Sequence, residues 1–363
     1  MAEIYQRHSP TALAAYHDLV ALLMDEAVSE IRGTPAMRKR GGRQYWYDRY
    51  RVGAEIKERY LGEDTDALRL RLNDHKRLEE QRDARRKERT RLVRLLRSER
   101  FIGMDGATGS LIAALARAGT FRLGGVLVGT NAFRVYEGEL GLRLTLDQAA
   151  MTNDIDITSF EKLSLALGEE VLPSINTVLS DFEFDPLPSL HTGQVWRWRQ
   201  SKNQTLVGFL TPSFDEKEDL RELAALGVSA QSLHYLNYLI AEPIQAAAVY
   251  RDGILVQIPR PERFAIHKLI IADRRVGGPE SLKARKDRLQ AELLIAILAE
   301  DRPSELAEAY EDAMERGPRW RERLGRSLEK SPETAAFLMK ASNARRSSAE
   351  KSLPRSCCRP DPG

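Results

Sequence analysis

Apolar residues in the first third of the chain recur at the three- and four-residue spacing of amphipathic helices. Ser9 and Pro10 form a helix start, with serine as the N-cap and proline at the first helical position. Residues 64–100 are rich in Arg, Leu and Glu and contain few helix breakers, so they are predicted to form one long helix, and residues 111–118 are predicted to form a short helix of small residues. The pattern therefore predicts that residues 1–118 form an all-helical N-terminal region.

An aromatic segment, Tyr45–Tyr50, lies inside this region after a basic loop that contains glycine. Its rings could stack on nucleic-acid bases or pack at a junction between helices. Clustered aromatic residues are more often part of a core, so we expect these rings to pack.

Between residues 119 and 260 the pattern changes to that of short strands. The apolar run Gly125–Val128 stops at Gly129 and Thr130, as a buried strand does before a turn and a helix. Further strands are predicted at residues 195–199, 206–210, 235–240, 246–250 and 254–258. In the first of these, alternation puts Arg197 on one face and Trp196 and Trp198 on the other.

The last third of the chain returns to helical spacing, which begins at Pro261 and continues to residue 342. Residues 343–363 are polar and basic and contain three prolines, so we predict a disordered tail there. The whole pattern predicts an α+β fold, in which a small mixed β-sheet core of residues 119–260 is flanked by the helical N-terminal region and by C-terminal helices.

Two carboxylates share one face of a short predicted strand. In Asn153–Ile157 the strict alternation puts Asp154 and Asp156 on one face and both isoleucines on the other. Like charges that close raise each other's pKa unless a cation holds them, and oxygen ligands of this kind suit Mg²⁺ or Mn²⁺. The alternative is structural: an aspartate can be a helix N-cap or an exposed strand residue.

A strand ending in Gly-Thr, a short helix and a strand carrying Asp-x-Asp together resemble the polymerase-beta-type nucleotidyltransferases. The similarity is greatest to the bacterial members of the toxin and abortive-infection kind, and it extends from about residue 121 to residue 298. The resemblance implies that a nucleoside triphosphate binds at Gly129 and Thr130, and that Asp154 and Asp156 hold the catalytic metal, Mg²⁺ or Mn²⁺. The acceptor of the nucleotidyl group, whether RNA, a protein hydroxyl or a small molecule, stays open.

The closing helices carry further positions that match this family. Lys268, in the first helix, and Lys286 and Asp287, in the second, correspond to residues that face the nucleotide there, and Gln290 completes the Lys-Asp-x-x-Gln pattern. A lysine at such a place would neutralise phosphate charge, although an exposed structural lysine is nearly as common.

The third carboxylate of polymerase-beta-type enzymes has no counterpart at the expected position. By order along the chain it would stand at Gly208, in the strand Thr205–Pro212. Asp215 and Glu216 follow Pro212 and could reach back only from a loop. The resemblance therefore leaves two possibilities: a nucleotidyltransferase with slow turnover, or a protein of the same fold that only binds nucleotide or nucleic acid.

Composition and charge narrow the function further. Hydrophobic residues make up 42% and charged residues 30% of the 363 residues, which is typical of a soluble globular protein, and we expect a cytoplasmic location without membrane association. The net charge is only +3, but Arg82–Arg100 is strongly basic, which suggests RNA contact. The acidic residues within that segment favour the alternative of a solvated, salt-bridged helix.

Other catalytic classes lack their motifs. No Gly-Lys-Ser/Thr follows the glycine run, GxSxG is absent, and the six histidines show no metal-ligand spacing. Cys357 and Cys358 are adjacent in the polar tail and offer no zinc framework. A sugar-nucleotide transferase also uses Asp-x-Asp, but it would need an upstream βαβ domain where this pattern predicts helices.

Overall fold

The structure is a computed structural model, and it describes residues 5–27, 33–52, 55–144, 154–166, 169–189, 193–202, 204–214, 217–275 and 281–352. These residues form a mixed α+β fold, which confirms the predicted class. The chain divides into two compact units, the first made of Met1–Asn237 and Pro243–Ile258, the second of Tyr238–Glu242 and Pro259–Gly363.

The strands and helices have the following bounds. The strands are β1 (Tyr5–Arg7), β2 (Thr34–Arg40), β3 (Arg43–Val52), β4 (Glu55–Glu63), β5 (Val126–Val128), β6 (Leu142–Leu144), β7 (Ile155–Thr158), β8 (Phe184–Pro188), β9 (Val195–Gln200), β10 (Leu206–Pro212), β11 (Leu220–Leu223), β12 (Val228–Leu233), β13 (Ile244–Ala248) and β14 (Ile254–Ile258). The helices are α1 (Pro10–Ala27), α2 (Asp66–Glu80), α3 (Arg82–Ser98), α4 (Gly106–Ala118), α5 (Gly129–Leu140), α6 (Glu161–Ala166), α7 (Ile175–Asp181), α8 (Leu236–Leu239), α9 (Pro261–Arg274), α10 (Ser281–Asp301), α11 (Pro303–Glu315), α12 (Pro318–Glu329) and α13 (Pro332–Ser352).

The prediction that residues 1–118 are all helical is wrong. Strands β2, β3 and β4 form an antiparallel three-stranded sheet, and the aromatic segment Tyr45–Tyr50 lies within β3. The β2–β3 turn consists of Gly41 and Gly42, whose φ angles are +59° and +80°. Two residues at positive φ make the tight hairpin turn that matches strand twist, and glycine adopts it without steric cost. The basic loop was therefore a hairpin, and the aromatic residues are strand residues.

The stretch predicted as one helix from residue 64 to residue 100 is two helices, α2 and α3, which meet at Gln81. Thr65 caps α2 by accepting from the Leu68 amide at 3.3 Å. Residues 235–240, predicted as a strand, contain the short helix α8 instead. The strands predicted at residues 246–250 and 254–258 correspond to β13 and β14, which form an antiparallel hairpin, and Gly253 in its turn has a φ of +86°.

The central sheet of the first unit has the order β11-β12-β10-β7-β5, with β9 paired to β10 and β8 paired to β9. β7 runs parallel to β10 and antiparallel to β5, so the sheet is mixed. Ile155 and Ile157 of β7 are fully buried, as are Val207 and Phe209 of β10. Alternation along both strands therefore directs one face of the sheet into the core, and Asp156 and Gly208 lie on the other face.

The second unit contains α9 to α13. Prolines stand at the starts of α9, α11 and α12, where the missing amide hydrogen costs no hydrogen bond. Asp273 of α9 accepts from Arg323 at 2.9 Å and Arg326 at 2.7 Å, which ties α9 to α12. The tail prediction is wrong for residues 343–352, which continue α13, and residues 353–363 lie outside the described residues.

None of the helices that the structure describes is long and apolar enough to cross a membrane. The cytoplasmic location stays a prediction.

We expect Gly138→Ala, in the last turn of α5, to destabilise the first unit. A Cβ there would lie 2.2 Å from Cε2 of Tyr16, which is 1% exposed and whose hydroxyl accepts from the Ala247 amide at 3.1 Å. Overpacking of this kind costs about 1–3 kcal/mol, more than the roughly 1 kcal/mol that alanine gains over glycine in a helix.

Urea unfolding should show this loss. Gly106→Ala in α4 is the matched control, because a Cβ there meets nothing within 4 Å, and it should keep or slightly raise the stability. Equal stability of the two variants would contradict the packing argument.

Candidate active site

The turn from β5 into α5 presents backbone amides at one end of the central sheet. Val126–Val128 are buried, and Gly129 follows with a φ of +69°, a conformation that glycine adopts readily. The N-cap residue Val128 has no side chain that could accept from the first amides of α5. The predicted nucleotide-binding residues Gly129 and Thr130 therefore open a helix whose N-terminal dipole favours an anion.

Asp156 lies directly beside this turn. It is half-buried on β7, opposite Val128 of β5, and a Cβ at Gly129 would lie 3.4 Å from its Oδ2. The alternation predicted from the sequence holds, because Ile155 and Ile157 are fully buried on the other face. The structure thus brings the backbone of the turn and one predicted carboxylate together.

Asp154 precedes β7 and is held by two hydrogen bonds. Its Oδ1 accepts from the Leu206 amide at 3.2 Å, and its carbonyl oxygen accepts from Asn131 Nδ2 at 2.7 Å. Asn131 is fully buried in the first turn of α5, so it connects the turn to the acidic strand. Asn131 was not among the predicted site residues, although its position directly after Gly129 and Thr130 was a signal.

Gly208 is the neighbour of Asp156 on the other side. The parallel register of β7 and β10 puts the two residues opposite each other, and a Cβ at Gly208 would lie 3.2 Å from Asp156 Oδ1. The resemblance implies a third carboxylate at this position. The position lies beside Asp156, and a glycine occupies it. Asp215 and Glu216, the possible substitutes, lie outside the described residues.

A β-bulge changes the predicted faces of β9. Pro188 of β8 pairs with Val195 and Leu187 pairs with Arg197, so Trp196 is the extra residue of β9. A bulge interrupts the two-residue alternation and redirects side chains. As a result, Trp196 Cζ3 and Arg197 Nε would lie 3.7 Å and 4.0 Å from a Cβ at Gly208. Only Trp198 keeps to the core face, where it packs edge-on against Phe209.

The carboxylates of Asp154 and Asp156 suit a hard divalent cation. Both offer oxygen atoms, and Asp156 is half-buried beside a backbone that accepts anions. Across the described part of the chain, no group of three or more His, Cys, Asp or Glu side chains is arranged to hold a metal ion. Two carboxylates supply oxygen ligands of the kind that Mg²⁺ and Mn²⁺ take, and the metal itself stays a prediction.

The predicted positions in the second unit form an ion cluster of their own. Lys268 Nζ lies 2.5 Å from Asp287 Oδ1, and Arg275 donates to Asp287 Oδ2. Asp287 is 2% exposed, and Lys286 is half-buried one residue before it. Gln290 is fully buried. The structure thus pairs Lys268 with Asp287, and their contact with a nucleotide stays a prediction.

Three comparisons with known proteins are informative to different degrees. Residues 106–315 match the model of a protein family described as nucleotidyltransferase, and residues 3–70 match a domain of unknown function. No curated protein matches. One solved structure, an antigenic nucleotidyltransferase-like protein from Paracoccidioides brasiliensis, matches with 12% identity and a TM-score of 0.35, over 66% of this chain and 94% of that one.

The buried His267, next to Lys268, predicts a pH dependence of stability. Burial, and then the Lys268 charge, lower the pKa of His267 to about 3. An unfolded histidine has a pKa of about 6.5, so the folded state excludes a proton that the unfolded state takes up below that pH. Stability from this group is complete above pH 6.5 and falls by about 1.4 kcal/mol per pH unit between 6.5 and 3.

We therefore expect His267→Gln to flatten the loss of stability between pH 7 and pH 4, as measured by urea unfolding at a series of pH values. His17→Gln, at an exposed position of α1, is the control and should keep the wild-type slope. If both variants lose stability with acid as the wild type does, the buried His267 is not the cause of that loss.

Proposed function

Because the chain belongs to this nucleotidyltransferase family, whose match covers more than half of its length, we propose that it binds a nucleoside triphosphate with Mg²⁺ or Mn²⁺ and transfers the nucleotidyl group to an acceptor. The proposed site consists of Gly129 and Thr130 for the phosphates and Asp154 and Asp156 for the metal. Lys268, Lys286 and Asp287 are proposed as further nucleotide contacts.

One observation carries the proposal: the N-terminus of α5 and the carboxylate of Asp156 are neighbours. A Cβ at Gly129 would be in van der Waals contact with Asp156 Oδ2, at 3.4 Å. An anion site and a cation site side by side fit a metal-bound polyphosphate, whose oxygens contact both.

Nucleotidyl transfer requires little covalent chemistry from the protein. The acceptor hydroxyl oxygen forms a bond to the α-phosphorus, the bond to the bridging oxygen breaks, pyrophosphate leaves, and the hydroxyl proton passes to solvent. A bound divalent cation would neutralise phosphate charge at Asp154 and Asp156. The chain's own residues position the reactants: the α5 amides hold phosphate oxygens, and Asn131 fixes the Asp154 backbone at 2.7 Å.

The runner-up function is binding without transfer. Gly208 provides no third carboxylate, so we propose that nucleotide binding requires the metal and that turnover is slow or absent. The membership in the family is compatible with either outcome, and a nucleotide titration with and without metal, followed by a turnover assay, separates them.

We further propose that the acceptor or a bound partner is RNA, although part of the basic stretch Arg82–Arg100 is used internally. Arg89 is 7% exposed and forms ion pairs with Glu26 and Asp252. Arg85 pairs with Asp25 at 3.0 Å, and Arg91 pairs with Glu88 at 2.6 Å. These pairs agree with the solvated-helix alternative, so RNA contact must depend on the other arginines.

Three arginines of α3 line an open cavity of about 1760 Å³ in the first unit, together with arginines from other elements. Three acidic side chains also line it, Glu26, Asp83 and Asp252. The seven arginines of the lining are Arg49, Arg82, Arg86, Arg89, Arg117, Arg122 and Arg251. A concave surface with such an excess of cations favours a polyanion.

The cavity has aromatic as well as cationic surface. Arg82 and Arg117 are exposed and have no acidic partner within the part of the chain that the structure describes. Tyr50, Phe182 and Tyr250 also contribute to the lining, and Arg251 stacks on Tyr250 at 5.2 Å. Arginines for phosphates and rings for bases are the two parts of a single-strand binding surface.

We expect Asp154→Asn and Asp156→Asn each to lower the metal-dependent affinity for a nucleoside triphosphate at least tenfold, because a neutral amide is a weak ligand for Mg²⁺. A fluorescent triphosphate titrated with and without Mg²⁺ measures the affinity, and thermal unfolding checks the fold. Asp181→Asn, an exposed residue at the end of α7, is the matched control. Unchanged affinity in both site variants would refute the proposed metal site.

For RNA, we expect the double variant Arg82→Gln/Arg117→Gln to weaken binding of a single-stranded oligonucleotide and to flatten its salt dependence. Each lost phosphate contact lowers the slope of log K against log salt by about 0.7. The variant Arg40→Gln/Arg94→Gln removes the same charge from exposed positions outside the cavity lining. Equal slopes for the two variants would exclude the cavity as the RNA site.

A further inference from the structure

Four neighbouring positions cross the central sheet in one row. Val128 pairs with Asp156, Asp156 with Gly208, and Gly208 with Arg197, through β5, β7, β10 and β9. Residues directly opposite each other in a sheet point to the same face. Asp156 and Arg197 therefore stand on either side of Gly208, on the face that carries the candidate site.

Arg197 is held in place by the bulge of β9. Its guanidinium carbon lies 4.1 Å from the centre of the Trp196 ring, which is half-buried. A guanidinium that stacks on an indole keeps its N–H groups free for other acceptors and loses little freedom when it binds. The bulge is what allows these consecutive residues to approach the same glycine.

The charge of Arg197 is not neutralised locally. It is half-buried, and no carboxylate within the described ranges forms an ion pair with it. An arginine with this degree of burial normally has an anionic partner, because removing its charge from water is unfavourable. Its position beside a site for a polyanion indicates what the missing partner is.

We propose that Arg197 binds an oxygen of the phosphate that is transferred, and so serves as the second cationic group of the site. This inference rests on the proposed function. The α5 N-terminus holds one end of the triphosphate, so an acceptor that attacks in line opposite the leaving pyrophosphate approaches from the side of Gly208 and Arg197. Neighbouring strands are about 4.8 Å apart, which puts β9 about 10 Å from β7, within the reach of an arginine directed at Gly208.

In this arrangement the glycine at position 208 matters to Arg197, because it places no carboxylate beside the guanidinium. A carboxylate at position 208 would begin from a Cβ 3.2 Å from Asp156 Oδ1 and 4.0 Å from Arg197 Nε. It would pair with the guanidinium and cancel the charge that the phosphate needs. The site therefore uses one divalent cation and one fixed arginine. In a site with a third carboxylate, a second divalent cation would take the place of the arginine.

Equilibrium binding of a non-hydrolysable nucleoside triphosphate in the presence of Mn²⁺ tests the inference. The magnetic resonance signal of Mn²⁺ measures both the affinity and the number of ions bound per chain. We expect one Mn²⁺ per wild-type chain. Arg197→Gln should weaken triphosphate binding about tenfold, as the loss of a charge-assisted hydrogen bond does, and Arg197→Lys should recover part of it. Lys202→Gln, an exposed cation in the β9–β10 turn, is the control and should bind as the wild type does.

Stoichiometry distinguishes this role from a structural one. Gly208→Asp alone should still bind one Mn²⁺, because Arg197 pairs with the new carboxylate, whereas Gly208→Asp/Arg197→Gln should bind two. Wild-type affinity in Arg197→Gln, or a second Mn²⁺ in Gly208→Asp alone, would overturn the inference and leave the proposed function intact. A wild-type chain without metal-dependent triphosphate binding would overturn the proposed function and this inference with it.

Discussion

The pairing of β7 between β5 and β10 is the constraint on which the candidate site depends. Ile155 and Ile157 are fully buried, and this burial fixes the register of the strand because a slip of one residue would turn both of them outward. The same register puts Asp156 between the start of α5 and Gly208. A hydrophobic requirement on one face of the strand thus positions the acidic chemistry on the other.

Two glycines, Gly129 and Gly208, shape the candidate site as much as its charged residues do. The two glycines beside Asp156 are the points where an added Cβ would lie 3.4 Å and 3.2 Å from its carboxylate oxygens. At Gly129 the backbone also has a positive φ, so the first amides of α5 are presented without an obstructing side chain. At Gly208 the space lets Trp196 and Arg197 approach the same face. The absence of a side chain at these two glycines lets the N-terminus of α5 and Arg197 lie close to Asp156, and it leaves space for a ligand.

Several ion pairs among the described residues join separate elements of this protein. Asp273 binds Arg323 and Arg326, Asp287 binds Lys268, and Arg89 binds two carboxylates from different segments. Breaking such partly buried pairs leaves an uncompensated charge, so they hold the packing of helices in place. Cations that could contact a ligand are recognised by their position, such as Arg117 in the cavity and Arg197 beside Gly208.

The sequence by itself determined the local pieces of this protein: the buried strand that stops at Gly129, the alternation around Asp156, and the helices that follow Pro261. Each of these depends on periodicity and turn residues within a few positions. The tertiary structure decided the rest. Strands β2, β3 and β4 form a sheet because they pair with one another. The spacing of apolar residues within each segment does not show such pairing. The row from Asp156 to Arg197 depends on strand register and on a bulge, and both arise from pairing between segments that are distant in the chain.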